Sequence, residues 1–123
     1  YELLDFPKIP SAIIPNSLNE QEFAVRPEVG SFRKKLSIPE DANLVLYIGR
    51  LHPIKGFDTL IPAFSKVVYK APKSFLVLVG GDEGGYRKKI EQTIRDSHLE
   101  RRVLFAGMLE GKEKSGAFGI APP

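Results

Sequence analysis

At 123 residues the chain is long enough for one domain around one core, and its 42% apolar content fits a soluble globular protein. A net charge of +3 is too mild to imply a nucleic-acid partner. The absence of cysteine excludes disulfides and thiolate metal sites, and the two histidines, His52 and His98, lie too far apart in sequence to suggest zinc, so no metal site is expected.

Tyr1–Pro10 carries Glu2, Asp5, Pro7 and Pro10, shows no period and lacks the basic start of a signal peptide. It reads as an irregular lead-in (residues 1–10). No apolar run approaches the roughly 20 residues needed to span a bilayer. A cytoplasmic setting is therefore expected. The start at Tyr1 and the stop at Ala121-Pro122-Pro123 read as the cut ends of a fragment.

Ser11–Ile14 is a short β-type run closed by the turn signal Pro15-Asn16. Asn16–Pro27 is polar and reads as loop. Phe32, Leu36 and Ile38 suggest a short helix near Gly30–Leu36, with Arg33, Lys34 and Lys35 mostly outward. Leu44–Ile48 is continuously apolar, as expected of a strand covered on both faces of a parallel sheet. Phe57, Leu60, Ile61, Phe64, Val67 and Val68 then form a helical stripe. Pro62 lies inside it and should weaken or bend that helix, which ends at Ala71-Pro72.

Phe75–Val79 is a second buried-strand candidate, followed by the glycine-rich loop Gly80–Gly85. Tyr86, Ile90 and Ile94 recur at helical spacing, and Val103-Leu104-Phe105 forms a third short strand. Strand–helix–strand–helix–strand predicts an α/β fold: a Rossmann-like parallel sheet with flanking helices. In such sheets ligands sit beyond the carboxyl ends of the strands. The loops Gly49–Gly56, Gly80–Gly85 and Gly107–Glu110 would meet on that rim. Residues 110–123 read as a poorly ordered tail or the start of a truncated helix around Glu113–Phe118.

The most informative stretch is Gly49-Arg50-Leu51-His52-Pro53-Ile54-Lys55-Gly56. A helix N-terminus offers unpaired N–H groups and partial positive charge to an anion. Arg50 can fork onto two phosphate oxygens and Lys55 can add a mobile point charge, though on residue type alone both read equally as solvated loop charges. Gly49 and Gly56 allow a tight backbone. The stretch is not a P-loop, because no Gly-Lys-Ser/Thr follows. The run Gly80-Gly81-Asp82-Glu83-Gly84-Gly85 overlaps a dinucleotide fingerprint only weakly, and it reads equally as a flexible turn. Asp82 and Glu83 could bind a cation but, as adjacent loop carboxylates, read first as solvated, His52 reads as an exposed loop residue and His98 as a helix-end residue. The basic clusters Arg33–Lys35, Arg87–Lys89 and Arg101-Arg102 lack interleaved aromatics and read as outward faces, not a nucleic-acid surface.

Gly49-Arg50-Leu51-x-Pro53-x-Lys55-Gly56, followed by Phe57-Asp58-Thr59-Leu60-Ile61, resembles the donor-binding domain of the retaining glycosyltransferases typified by sucrose synthase, glycogen synthase and bacterial mannosyltransferases. Ile14-Pro15-Asn16, Phe32-Arg33-x-x-Leu36-x-Ile38-Pro39, Leu76–Gly80 and Val103–Gly107 resemble further marks of the family in the right order. Together they cover roughly Ser11 to Leu109. The resemblance implies a two-domain GT-B architecture, with residues 11–109 an incomplete nucleotide-sugar-binding domain from its C-terminal half. It implies that Arg50 and Lys55 grip the diphosphate of a UDP-, GDP- or ADP-linked sugar and stabilise charge on the leaving group. It places Gly49, Gly80 and Gly81, with the backbone of Gly107, Met108 and Leu109, around the nucleotide.

The resemblance further implies that no metal or other cofactor is needed, that a glycan or other acceptor is bound by an absent N-terminal domain, and that the full protein has room for peripheral membrane association. Three features depart from the family. Ser17 stands where a glycine is usual, Pro62 interrupts the helix, and the chain ends before the paired glutamates that hold the donor sugar. Transfer by this stretch alone is therefore not expected. On residues alone two alternatives stay open: a stand-alone α/β nucleotide-binding module, and a basic adaptor for nucleic acid or anionic surfaces.

Overall fold

The computed structural model describes residues 10–17, 20–21 and 30–109. The lead-in before residue 10, most of the loop read between Asn16 and Pro27, and the tail from residue 110 lie outside them. The elements run α1 (Ser31–Lys35), β1 (Asn43–Ile48), a 3-10 turn (Pro53–Lys55), α2 (Phe57–Lys70), β2 (Ser74–Val79), α3 (Arg87–Asp96) and β3 (Val103–Gly107). The strands form one sheet in the order β1-β2-β3, with both pairs parallel. This is the Rossmann-like α/β arrangement the alternating pattern predicts.

β2 is the centre of the sheet. Leu76, Val77 and Leu78 are fully buried and Val79 nearly so, which requires cover on both faces. The strand alternation divides them. Leu76 and Leu78 pack with Phe57, Ile61 and Phe64 of α2 and with Ile90 and Ile94 of α3. Val77 and Val79 pack on the other face with Phe32, Ile38, Ala42 and Leu109. That second face is less fully covered, since Leu44, Leu46, Ile48, Leu104 and Ala106 there are half-buried.

Pro62 does not interrupt α2, which continues to Lys70. Proline removes one backbone bond and crowds a carbonyl, at about 3 kcal/mol. Burial of Phe57, Ile61 and Phe64 on the same helix returns about 1.5–3 kcal/mol each and outweighs it. Pro62 itself faces solvent.

Three expectations need correction. Ser11–Ile14 is not a strand: Ile13 and Ile14 are 97% and 88% exposed, and no strand among the described residues pairs with them. β-type residues without a ladder partner gain nothing from extension. Glu20 and Gln21, inside the stretch read as loop, are helical. Arg33 is half-buried rather than simply outward. Its Nη1 donates to the carbonyls of Pro39 at 3.1 Å and Ala42 at 2.8 Å, tying α1 to the turn that feeds β1. His98 closes α3 as expected of a helix-end residue, in the left-handed conformation (φ 55°), with its N–H donating to Arg95 O at 3.0 Å.

Candidate functional site at the carboxyl rim of the sheet

The chain leaving β1 does not separate at once from β2. Gly49 N–H donates to Val79 O at 2.9 Å, Leu51 N–H to Gly81 O at 2.9 Å, and Glu83 N–H to Leu51 O at 3.4 Å. Leu51 and Asp82 form a parallel bridge outside the named strands. Leu51 is 2% exposed and belongs to the helix-side core, which pins the loop from beneath. Arg50, between the two anchored residues, is exposed. Tyr47 O–H donates to the Arg50 carbonyl at 3.0 Å and supports the loop from the strand below.

The next residues turn into the helix. His52 Nδ1 accepts from Ile54 N–H at 3.2 Å and caps the 3-10 turn Pro53–Lys55. His52 is therefore a half-buried capping residue rather than a purely exposed one. Gly56 follows with φ 73° and ψ 34° and begins α2, whose first turn has no side-chain cap. The left-handed geometry explains the glycine: an L side chain there costs about 1–2 kcal/mol. Lys55 is exposed beside this uncapped helix start and has no ion-pair partner among the described residues.

Arg50 is engaged. Its Nη1 lies 2.9 Å from Glu83 Oε2, with the two side chains 66% and 47% exposed. Exposed pairs of this kind contribute about 0.2–1 kcal/mol, so a multiply charged ligand can displace the carboxylate. Glu83 is thus not merely solvated. Neither is Asp82, whose Oδ1 accepts from Arg87 N–H at 2.9 Å and fixes the start of α3.

The structure brings the remaining candidate residues onto the same rim. Gly80 N–H donates to Gly107 O at 2.7 Å, linking the exits of β2 and β3. A side chain at Gly80, which has φ 151°, would come within 1.8 Å of Gly49 O, so the bare Cα there makes room for the neighbouring loop. A Cβ at Gly81 would reach 2.9 Å from Met108 Cε, which places those two candidates against each other. Gly107 lies at a register irregularity with φ 71° and open space where a side chain would stand. Met108 is 67% exposed, while Leu109 is 8% exposed and packs into the second core cluster.

Sequence reasoning missed Tyr47 as a support of this rim, and it missed the partners that Asp82 and Glu83 find there. Asp82 carried a weak signal, an acidic residue shortly before a helix, but the intervening Gly84-Gly85 hid the capping spacing. Nothing local marks Glu83 as the partner of a residue 33 positions earlier. Among the described residues three basic side chains also find aromatic partners: Arg87 lies 4.2 Å over the Phe105 ring, Arg102 5.0 Å over Phe75 and Lys89 6.0 Å over Tyr86. No group of three or more His, Asp or Glu side chains suited to a metal occurs among the described residues. None of the helices among them is long and apolar enough to cross a membrane.

Comparison with known proteins gives the rim its context. The family described as glycosyl transferases group 1 matches residues 29–121. Lipopolysaccharide 1,2-N-acetylglucosaminetransferase of Salmonella typhimurium is 32% identical over 93 residues, 68% of this chain and 24% of that protein. D-inositol 3-phosphate glycosyltransferase of Kineococcus radiotolerans is 29% identical over 101 residues, 76% of this chain and 23% of that protein. Among solved structures, sucrose-phosphate synthase from Thermosynechococcus elongatus superposes with a TM-score of 0.70 at 31% identity, over 88% of this chain and 27% of that one. HepE of Anabaena, crystallised with UDP, gives 0.69 at 28% identity, over 81% and 28%. The chain spans about a quarter of the length of these relatives. With the family match covering most of the sequence and the parallel sheet in place, the chain belongs to the group 1 glycosyl transferases.

Proposed function

We propose that this chain is the donor-side part of a retaining glycosyltransferase of GT-B architecture, and that its carboxyl rim binds the nucleoside diphosphate portion of a sugar donor. The observation that carries this is the pairing of Gly49–Leu51 with Gly80–Glu83, which holds Arg50 on the rim while Lys55 stands at the uncapped start of α2. Arg50 and Lys55 are assigned to the diphosphate. Gly49, Gly80 and Gly81 and the backbone of Gly107–Leu109 are assigned to the nucleotide around it.

UDP is the favoured nucleotide, because HepE, which shares this fold at 28% identity, binds UDP. As the sugar–phosphate bond breaks, negative charge grows on the leaving diphosphate. Fixed cations at that point stabilise the transition state more than the ground state. In the whole enzyme, loss of one such group should lower turnover by a hundred- to a thousandfold, about 3–4 kcal/mol. The acceptor, a glycan or another hydroxyl compound, is assigned to a part of the protein outside this chain. So are the groups that hold the donor sugar. The proposed setting is the cytoplasm, with peripheral membrane contact of the full protein left to its other parts.

The test is a calorimetric titration of UDP, GDP and ADP into the chain, repeated with Arg50→Ala and Lys55→Ala. Each substitution should weaken nucleoside diphosphate binding and leave the weaker binding of the free nucleoside unchanged. Diphosphate affinity that is indifferent to both substitutions would overturn the assignment.

A further inference from the structure

We propose that Glu83 is a built-in competitor for the diphosphate: a carboxylate of this chain that occupies Arg50 until a phosphate oxygen displaces it. This rests on the assignment of Arg50 to the diphosphate and adds a residue that sets the affinity of that site.

The contact is positioned by the backbone. The Leu51–Asp82 bridge, together with the bonds from Leu51 N–H to Gly81 O at 2.9 Å and from Glu83 N–H to Leu51 O at 3.4 Å, sets residues 50 and 83 side by side. The two adjacent carboxylates of this loop are used differently. Asp82 Oδ1 is committed to the Arg87 N–H at 2.9 Å. The Glu83 side chain has one partner among the described residues, Arg50 Nη1 at 2.9 Å.

The contact is also built to yield. A single Nη1–Oε2 approach leaves most of the five guanidinium N–H donors uncommitted, and the 66% and 47% exposures leave both side chains open to an incoming ligand. A phosphate takes the same fork through two parallel bonds and carries more charge than a carboxylate, so it wins the exchange. The affinity is lowered by whatever the Arg50–Glu83 pair contributed. When the nucleoside diphosphate leaves, Glu83 takes the guanidinium back, so the cation never stands unpaired at the rim.

A double-mutant cycle tests this, with UDP and uridine titrated into the chain and into Glu83→Gln, Arg50→Ala and the double variant. Glu83→Gln keeps the shape of the side chain and removes its charge, and the position is exposed, so the fold is retained. Glu83→Gln should tighten UDP by about 1.4- to fivefold, the factor that an exposed ion pair carries. It should leave uridine unchanged, because a merely structural change would move both ligands. In the Arg50→Ala background it should have no effect. UDP affinity that is unchanged or weakened by Glu83→Gln, while Arg50→Ala weakens it, would overturn the competitor alone. The same tightening without Arg50 would also overturn it, since the carboxylate would then act only as distant charge. A wild-type chain that fails to bind UDP, or whose UDP affinity ignores Arg50→Ala, would remove the diphosphate assignment itself and the competitor with it.

Discussion

The two glycine-rich loops on the rim look alike in sequence and behave differently in the structure. The loop after β1 turns its charge outward: Arg50 and Lys55 are exposed, and its backbone is steered by Leu51 beneath and by the left-handed Gly56 at the helix start. The loop after β2 spends its chemistry inward. Gly80 makes room for Gly49 O, Asp82 holds the start of α3, and Glu83 holds Arg50. Glycine and charge on a strand–helix loop therefore do not by themselves mean ligand contact. The first loop presents two exposed cations, and the second holds its backbone and the Arg50 guanidinium in place.

Substitutions at the glycines test this contrast most severely. Gly80→Ala should have the largest effect, because the new Cβ meets backbone at 1.8 Å, where nothing flexible can yield, and φ is 151°. Strain and overpacking together should remove at least about 3 kcal/mol. That is a large share of the 5–15 kcal/mol typical of a whole domain. Urea denaturation should show a strongly lowered midpoint, and a near-normal midpoint would mean that the loops are not packed as described. Gly56→Ala should be milder, about 1–2 kcal/mol, because space is open there and only the φ of 73° resists. Its expected signature is functional as well as structural: weakened UDP binding as Lys55 shifts, beyond the loss of stability. Equal damage from the two glycine variants would erase the distinction between the loops.

Asp82→Ala comes next. It leaves the Arg87 N–H at the start of α3 without its side-chain acceptor. Loss of such a helix-start acceptor costs about 0.5–2 kcal/mol. Because Arg50 keeps Glu83, UDP affinity should change little while the thermal midpoint falls. A large loss of affinity with unchanged stability would instead make Asp82 part of the binding surface.

Most of the fold was legible because its signals are local and strong. The continuous apolar runs Leu44–Ile48 and Phe75–Val79 became the parallel strands β1 and β2, and the stripe from Phe57 to Val68 became α2. Ser11–Ile14 failed as a strand because extension depends on a partner, and no residue within the run reports whether one exists. Pro62 misled in the opposite sense: a local penalty was outweighed by burial of Ile61 and Phe64, which only the packed sheet reveals. The cations of the candidate site were readable from residue type and from their place after a strand. Their supports were not. The Arg50–Glu83 pair, the contact between Gly80 and Gly49 O and the bond from Tyr47 O–H to Arg50 O all depend on how neighbouring strands are brought together or on which way a side chain turns.

Tyr47 provides the smallest of these effects and a pH signature. Its hydroxyl is one of the few side-chain bonds that hold the outward loop, donating to Arg50 O at 3.0 Å, while its ring meets Phe57 edge-on at 4.9 Å. Burial raises its pKa above the ordinary 10.0, and the Arg50 charge only partly opposes that shift. The folded chain therefore keeps the phenol proton at a pH where the unfolded chain has begun to lose it. This contribution is complete below pH 10 and is lost as pH rises through the raised folded value. Tyr47→Phe removes the bond, at about 0.5–1.5 kcal/mol near neutrality, and removes the titrating group. Its stability should consequently decline less steeply above pH 10 than that of the unsubstituted chain, as followed by urea midpoints across the alkaline range. Parallel declines would mean that this phenol does not sense the fold, and that the outward loop is held by Leu51 and the backbone alone.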